Sequence, residues 1–397
     1  MCQCVSLRAG FTPNQTYRSD AYFFYLYQPA MRLTSTDMRF IAKLRRRRLL
    51  TAISPTMLSR RTTIGGVGGF LAALTLPLPA SARPSSKPAR LRLGDTVGLI
   101  APASSNDEPL NPETVQNIVR GMGLVPKLGR HVSDRFGYLS GSDQDRAADI
   151  NAMFADATVR AIFAMRGGWG SARLLPLLDW DLFRANPKLL IGSSDVTALH
   201  LAFAARVGFP TIHAPNASNR WDVISWNSLW RLAFTGETPL LGEPEGQDRT
   251  LDRWRTTTIR SGKASGRLLG GNLTVLSTLM GTPWLPDFDG AILFLEDVGE
   301  AEYRIDRMMN QLALAGVLGK VAGVIFGQCM RCNSGIPEYA GFTVPDILDQ
   351  YLSPLGVPSF SGANIGHVSN QLSLPVGARV EMDADAGTIR LLEPMVA

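Results

Sequence analysis

The chain has 397 residues, 45% of them hydrophobic and 19% charged, which excludes a disordered tail protein, a collagen and a coiled coil. Four cysteines are too few for a disulfide-dense scaffold, and no apolar run of about 20 residues is clean enough to span a membrane. The formal charge of +6 is uneven: residues 1–82 hold 11 basic and 2 acidic residues, leaving a body near −3 with no electrostatic reason to seek nucleic acid.

Residues 57–82 read as a signal peptide. Met57 precedes Arg60-Arg61, then an apolar stretch rich in Gly and Ala, then the small-x-small site Ala80-Ser81-Ala82. An Arg pair before a weakly hydrophobic run resembles a twin-arginine signal, which predicts export to the periplasm; a cytoplasmic location follows if this reading is wrong. Residues 1–56 show no sustained period and are expected to be a disordered, over-extended N-terminus. Arg83 to Pro88 is a Pro/Ser linker, and the folded body is expected to start near Leu91.

The body alternates strands and helices. Thr96 to Ala101, Val159 to Met165, Lys188 to Ile191 and Pro210 to His213 read as strands. Helices are expected over Pro112–Met122, Asp143–Phe154, Ser171–Leu178 and Asp195–Ala205. That alternation implies parallel βαβ units, a Rossmann- or flavodoxin-like N-terminal domain over 91–240. Residues 241–264 read as a linker, with an edge strand nearby. A smaller α/β C-terminal domain, 265–397, follows, with strands at Gly266–Leu269, Ala291–Leu295 and Val321–Phe326. Its helices are Asn272–Met280, Ala301–Ala315 and Val344–Leu352, and Ala378–Met382 with Thr388–Leu392 forms a closing hairpin.

Polar clusters fall at strand ends, where open α/β sheets place their sites. Arg166-Gly167-Gly168-Trp169-Gly170 is a Gly-rich turn before a helix, able to aim backbone N–H groups at an oxyanion, though a tight turn needs glycine anyway. Gly192-Ser193-Ser194-Asp195 has the strand–turn–helix context of a nucleophile elbow, but Val196 replaces the final glycine and Ser194 serves equally as a helix cap. Glu296-Asp297 ends an apolar strand, and His367 sits in a Gly-flanked loop. Among the four histidines, His213 rivals His367 as a proton carrier, and His200 reads as packed within a helix. Ser194, His367 and Glu296 supply the nucleophile, base and orienting acid of a triad, but spacing does not prove that they meet. No metal-binding motif or cofactor loop is evident in the body, so neither is expected. Cys329 and Cys332 read as two ordinary thiols, with a redox pair or a disulfide as alternatives.

Taken together, these segments resemble the LD-carboxypeptidase family of serine peptidases, the muramoyltetrapeptide carboxypeptidases, over roughly residues 91–395. The resemblance rests on GLIAPAS at Gly98, AMRGGWGSARLL at Ala164, IGSSDVTALH at Ile191 and GRLLGGNLTVLSTLMGTPW at Gly266. It continues through LFLEDVGEAEYRIDRMM at Leu293, GANIGH at Gly362 and a turn at Leu374-Pro375-Val376-Gly377. It implies Ser194 as nucleophile, Glu296 as acid and His367 as base, in a cleft between two domains. It also implies Gly168 and Asp195 as oxyanion donors, with Trp169 as a substrate wall where Tyr is common. The implied substrate is a murein tetrapeptide, from which terminal D-alanine is released, and the implied assembly is a homodimer. Two alternatives are a microcin C self-immunity peptidase of the same family, whose members stack a nucleobase on an aromatic, and a periplasmic solute-binding protein; Trp221, Trp226 and Trp230 could suggest the first, but their spacing of 5 and 4 fits a packed helix better.

Overall fold

Alternation of apolar residues along each strand builds the first layer. Five strands, β1 (Thr96–Ile100), β2 (Val125–Leu128), β3 (Val159–Ala164), β4 (Leu189–Gly192) and β5 (Thr211–His213), pair in parallel in the order β2-β1-β3-β4-β5. That is the flavodoxin-like order. Odd and even positions feed opposite faces: Val97, Leu99, Ala161, Phe163, Leu189 and Ile191 enter one core cluster, whereas Ile100, Ile162, Ala164 and Leu190 enter the other. Helices cover both faces, so no polar alternation survives in these strands. Helix α1 (Pro112–Gly121) packs on the first face, and α2 (Asp143–Ala155), α3 (Trp180–Ala185) and α4 (Thr197–Arg206) on the second. Asn111 and Ser142 cap α1 and α2 through backbone N–H groups of Glu113 and Asp145, which fixes where each helix starts.

The computed structural model describes residues 87–105, 111–242, 255–336 and 338–397, all within one unit spanning Pro77–Ala397. The expected N-terminal extension and the signal peptide lie outside the described residues. After α5 (Val223–Leu229) the chain enters a second, eight-stranded sheet. It is built from β6 (Leu240–Leu241), β7 (Thr257–Arg260), β8 (Lys263–Asn272), β9 (Ile292–Val298), β10 (Gly323–Met330), β11 (Ser359–Ser361), β13 (Arg379–Asp383) and β14 (Thr388–Leu391). The order is β6-β14-β13-β8-β9-β10-β11-β7, with β8 to β11 parallel and the flanking strands antiparallel. Helices α6 (Leu273–Thr278), α7 (Glu302–Leu314) and α8 (Val344–Leu352) accompany it. The same two apolar clusters continue here: Leu293 and Leu295 of β9 join one, Ile292 and Phe294 the other.

Four differences from the sequence reading have physical reasons. Leu374–Val376, expected as a turn, is β12, antiparallel to β5 at the edge of the first sheet; Pro375 is tolerated because an edge strand has one unpaired side. The expected linker, read with an edge strand, holds more strand than that: the end of β6, β7 and the start of β8, with β6 and β7 forming the two edges of the second sheet. Ser171–Leu177 is a 3₁₀ helix containing Pro176 rather than an α-helix. Strands β2 and β11 were not expected: the exposed–intermediate alternation of Val125–Leu128 and the brevity of Ser359–Ser361 leave little apolar signal. Among the described residues, no helix is long and apolar enough to cross a membrane.

Candidate active site

Ser194 stands where β4 ends and turns into α4. Its φ is +62°, in the left-handed region that costs a residue with a Cβ roughly 1–2 kcal/mol. Surrounding hydrogen bonds hold that turn. The Ser193 N–H donates to Asn216 Oδ1 at 3.1 Å, and His200 Nε2 donates to the Gly192 carbonyl at 2.9 Å. His200 Nδ1 then accepts from the Thr211 hydroxyl at 2.8 Å, which fixes its tautomer; burial pushes its pKa down to about 4, so it stays neutral. Neither the 3₁₀ turn at Ser194–Val196 nor α4 carries a side-chain cap, so the capping role left open for Ser194 is not the one it plays. Its strained φ matches that of a nucleophile elbow.

The Gly-rich turn lies directly against this serine. A Cβ on Gly167 would stand 3.0 Å from Ser194 Oγ and 3.4 Å from the Asp195 backbone nitrogen, so only glycine permits the approach. The Asp195 side chain points away: it accepts from the Ser171 N–H at 2.7 Å and is fully buried, and burial raises its pKa. Trp169 N–H donates to Ser104 Oγ at 2.9 Å, and the indole is 40% exposed at the rim. Arg146, 2% exposed, donates to the carbonyls of Pro102 and Gly170 and so joins the loop after β1 to the Gly-rich turn.

The candidate acid and base come from the second sheet. Glu296 lies within β9, fully buried, and His367 Nδ1 is 2.8 Å from its Oε2. Strand β10 separates β9 from β11, so the loop carrying His367 must cross over β10. Gly327 makes room: a Cβ there would stand 2.5 Å from the Ile365 carbonyl oxygen. Gln328 then ties the loop down, its N–H donating to Ile365 at 2.8 Å and its Nε2 to the Gly362 carbonyl at 2.7 Å. Burial alone would lower the His367 pKa, but the Glu296 hydrogen bond and the charges of Glu296 and Asp297 outweigh it, and the net shift is upward. Its rival His213 is fully buried without a ring hydrogen bond among the described residues, and burial pushes its pKa well down. A proton carrier needs reach and a partner, and His213 has neither.

A buried hydrogen bond near the site joins the two halves. The Asn272 N–H donates to Thr197 Oγ1 at 2.9 Å, three residues after the nucleophile, and Asn272 pairs in register with Glu296. The Asn272 side chain also donates to Asp297 Oδ1 at 3.1 Å and caps α6 through Val275 N–H. No hydrogen bond joins Ser194 Oγ to His367 among the described residues; the acid–base half is assembled and the serine contact is open. Sequence reasoning missed Thr197, Asn216, Asn272 and Arg146 as builders of the site. Only Asn272 left a signal, the break from strand to helix after Gly270-Gly271.

One further expectation changes. Cys329 and Cys332 form a disulfide with Cα atoms 5.4 Å apart, not free thiols; the turn at the end of β10 brings them into bonding range. Trp221, Trp226 and Trp230 pack on one another, with Trp230 stacked on Phe234, as their helical spacing led one to expect. Among the described residues, His131, Asp134 and Asp145 place ligand atoms within 4.8 Å of one another, but His131 already pairs with Asp134 at 2.7 Å as a surface ion pair.

Residues 97–214 match the LD-carboxypeptidase N-terminal domain, and residues 265–382 match the LD-carboxypeptidase C-terminal domain. A probable murein peptide carboxypeptidase of Bacillus subtilis is 36% identical over 297 residues, covering 75% of this chain and 91% of that protein. A murein tetrapeptide carboxypeptidase of Pseudomonas aeruginosa is 30% identical, with 77% and 98% covered. The microcin C7 self-immunity protein of Escherichia coli is 27% identical, with 77% and 95% covered. Among solved structures, a muramoyltetrapeptide carboxypeptidase from Oxalobacter formigenes superposes with a TM-score of 0.63 at 26% identity, over 75% of this chain and 97% of that one. Both halves of the described fold thus fall under one assignment, and the chain belongs to the LD-carboxypeptidase family.

Proposed function

We propose that the protein is a serine carboxypeptidase that releases terminal D-alanine from murein tetrapeptides. The observation that carries this reading is the hydrogen bond from half-buried His367 to fully buried Glu296, in a chain that also holds Ser194 at positive φ after a strand end. Ser194 Oγ attacks the carbonyl that joins an L-centre to D-alanine. His367 takes the hydroxyl proton and passes it to the leaving amine. Glu296 holds the imidazole and stabilises its cation. The backbone N–H groups of Gly168 and Asp195 receive the oxyanion, and Trp169 walls the substrate. Water then hydrolyses the acyl-enzyme, which frees the tripeptide.

The enzyme acts outside the inner membrane, on peptides of the wall itself. The twin-arginine pattern at residues 57–82 supports this location, and so does the Cys329–Cys332 disulfide, which an oxidising compartment preserves. The test is mass spectrometry of murein tetrapeptide incubated with protein starting at Arg83, beside a Ser194→Ala control. Loss of one alanine is expected only with the intact serine, and the substitution should lower the rate by several powers of ten. Equal cleavage by both proteins would remove Ser194 from the mechanism.

A further inference from the structure

A carboxypeptidase must distinguish a chain end from an internal bond, which calls for donors to the terminal carboxylate near the scissile amide, and a guanidinium supplies them with matching charge and geometry. The loop after β3 carries one. Arg166 precedes Gly167, the residue that packs against Ser194, so its backbone lies one residue from that contact. It lines a cavity of about 260 Å³ together with Ser104, Ser105, Ser140, Asp134 and Arg135. Its guanidinium makes one hydrogen bond among the described residues, Nη1 to the Ser105 carbonyl at 3.0 Å, and no carboxylate pairs with it. Asp134, the acid in the same wall, is bonded to His131 instead. Other cations nearby have partners: Arg146 and Arg173 both pair with Asp143, and Arg135 of the same wall donates to the Gly137 carbonyl at 3.3 Å. The Ser105 hydroxyl, enclosed in the same wall, has no partner among the described residues.

We propose that Arg166 is the specificity residue that binds the terminal carboxylate of the substrate. The bond to Ser105 holds the guanidinium in place and leaves donors on its other edge, a fork whose geometry matches a carboxylate. The carboxylate of a departing D-alanine lies one carbon from the amide nitrogen, so its anchor has to sit within a side chain's length of the serine. Arg166 meets that condition through Gly167. The oxyanion donors and this anchor then belong to one short turn, which couples recognition of the chain end to alignment of the carbonyl.

The inference rests on the reaction proposed above, and its test separates the two. Tetrapeptide ending in free D-alanine and the same peptide ending in D-alaninamide are compared as substrates of the Arg83-onward protein. Binding of both peptides to the Ser194→Ala protein is measured by calorimetry. The intact enzyme should prefer the free acid by roughly tenfold or more. Arg166→Gln should raise KM for the free acid and bring the ratio of the two substrates close to one, with an unchanged melting temperature; Arg166→Lys should keep part of the preference. Equal losses on both substrates, or a preference that survives Arg166→Gln, overturns the assignment. So does loss of the preference in Arg331→Gln alone, which would move the anchor to the opposite side, near His367. If neither peptide is cleaved, calorimetry still decides: tighter binding of the free acid that depends on Arg166 upholds the anchor and sinks the reaction, whereas equal binding sinks both.

Discussion

At the scale of single residues, the site works by setting one charge against another in a dry place. Glu296 is fully buried, and its Oε1 has no hydrogen-bond partner among the described residues. His367 is therefore the principal compensation for that charge, and its imidazolium is favoured. The sign for catalysis follows. A general base must be neutral, so kcat/KM should rise with pH through an apparent pKa above the ordinary histidine value of about 6.5. Glu296→Gln removes the charge but keeps the burial, and should move that limb to lower pH while reducing the maximal rate. A pH–rate profile of both proteins checks this; a limb that does not move would separate Glu296 from His367. The same linkage sets stability. Protonated His367 contributes most below its unfolded pKa, and that contribution is lost as pH rises through the raised value in the folded protein. The sequence could name Ser194, Glu296 and His367 as candidates because each ends a strand or sits in a Gly-flanked turn, and the structure brings the last two into contact. The choice between nucleophile and cap for Ser194 was not, since it depends on a φ value that no pattern of side chains encodes.

At the scale of elements, two strands and a helix start decide whether the triad can form. Strand β8 brings Asn272 beside Glu296 of β9, and the Asn272 N–H reaches across to Thr197 at the first turn of α4. This bond is buried, so losing its acceptor leaves a donor unsatisfied at a cost of about 1–3 kcal/mol. Thr197→Val keeps the shape and removes the acceptor. Urea denaturation should show that loss, and activity should fall further than the stability change requires, because the elbow and β9 lose their common tether. Thr197→Ser retains the hydroxyl and should restore most of both. An unchanged denaturation midpoint in Thr197→Val would show that the bond contributes nothing to holding the halves together. The sequence revealed the long apolar strands and amphipathic helices, whose periods are local. It hid β12, the Thr197–Asn272 link and the ties of Gln328 to the His367 loop, because each joins residues distant in the chain and leaves no period behind.

At the scale of the whole molecule, the ends of the folded body meet. Ala397 N–H donates to the Pro88 carbonyl at 2.9 Å, and Lys87 pairs with Glu393 at 3.2 Å. Leu91 is buried nearby, so this stretch of chain is docked against the C-terminal residues rather than frayed. Cleavage after Ala82 would leave a short tether, Arg83 to Ser86, before this docked end, and would remove Cys2 and Cys4 while keeping Cys329 and Cys332. The proposed export therefore carries a thiol signature. Protein recovered from the periplasm should begin at Arg83 and take up no alkylating reagent at Cys329 or Cys332 until it is reduced, as read by peptide mass spectrometry. Both thiols alkylated without reduction, in protein that retains residues 57–82, would place the enzyme in the cytoplasm. The disulfide closes too short a loop to constrain the unfolded chain by much. Its effect is local: it braces the turn that follows Gln328, the residue that holds the His367 loop. Reduction should consequently lower activity more than it lowers the melting temperature, and an enzyme indifferent to reduction would restrict the disulfide to marking the compartment.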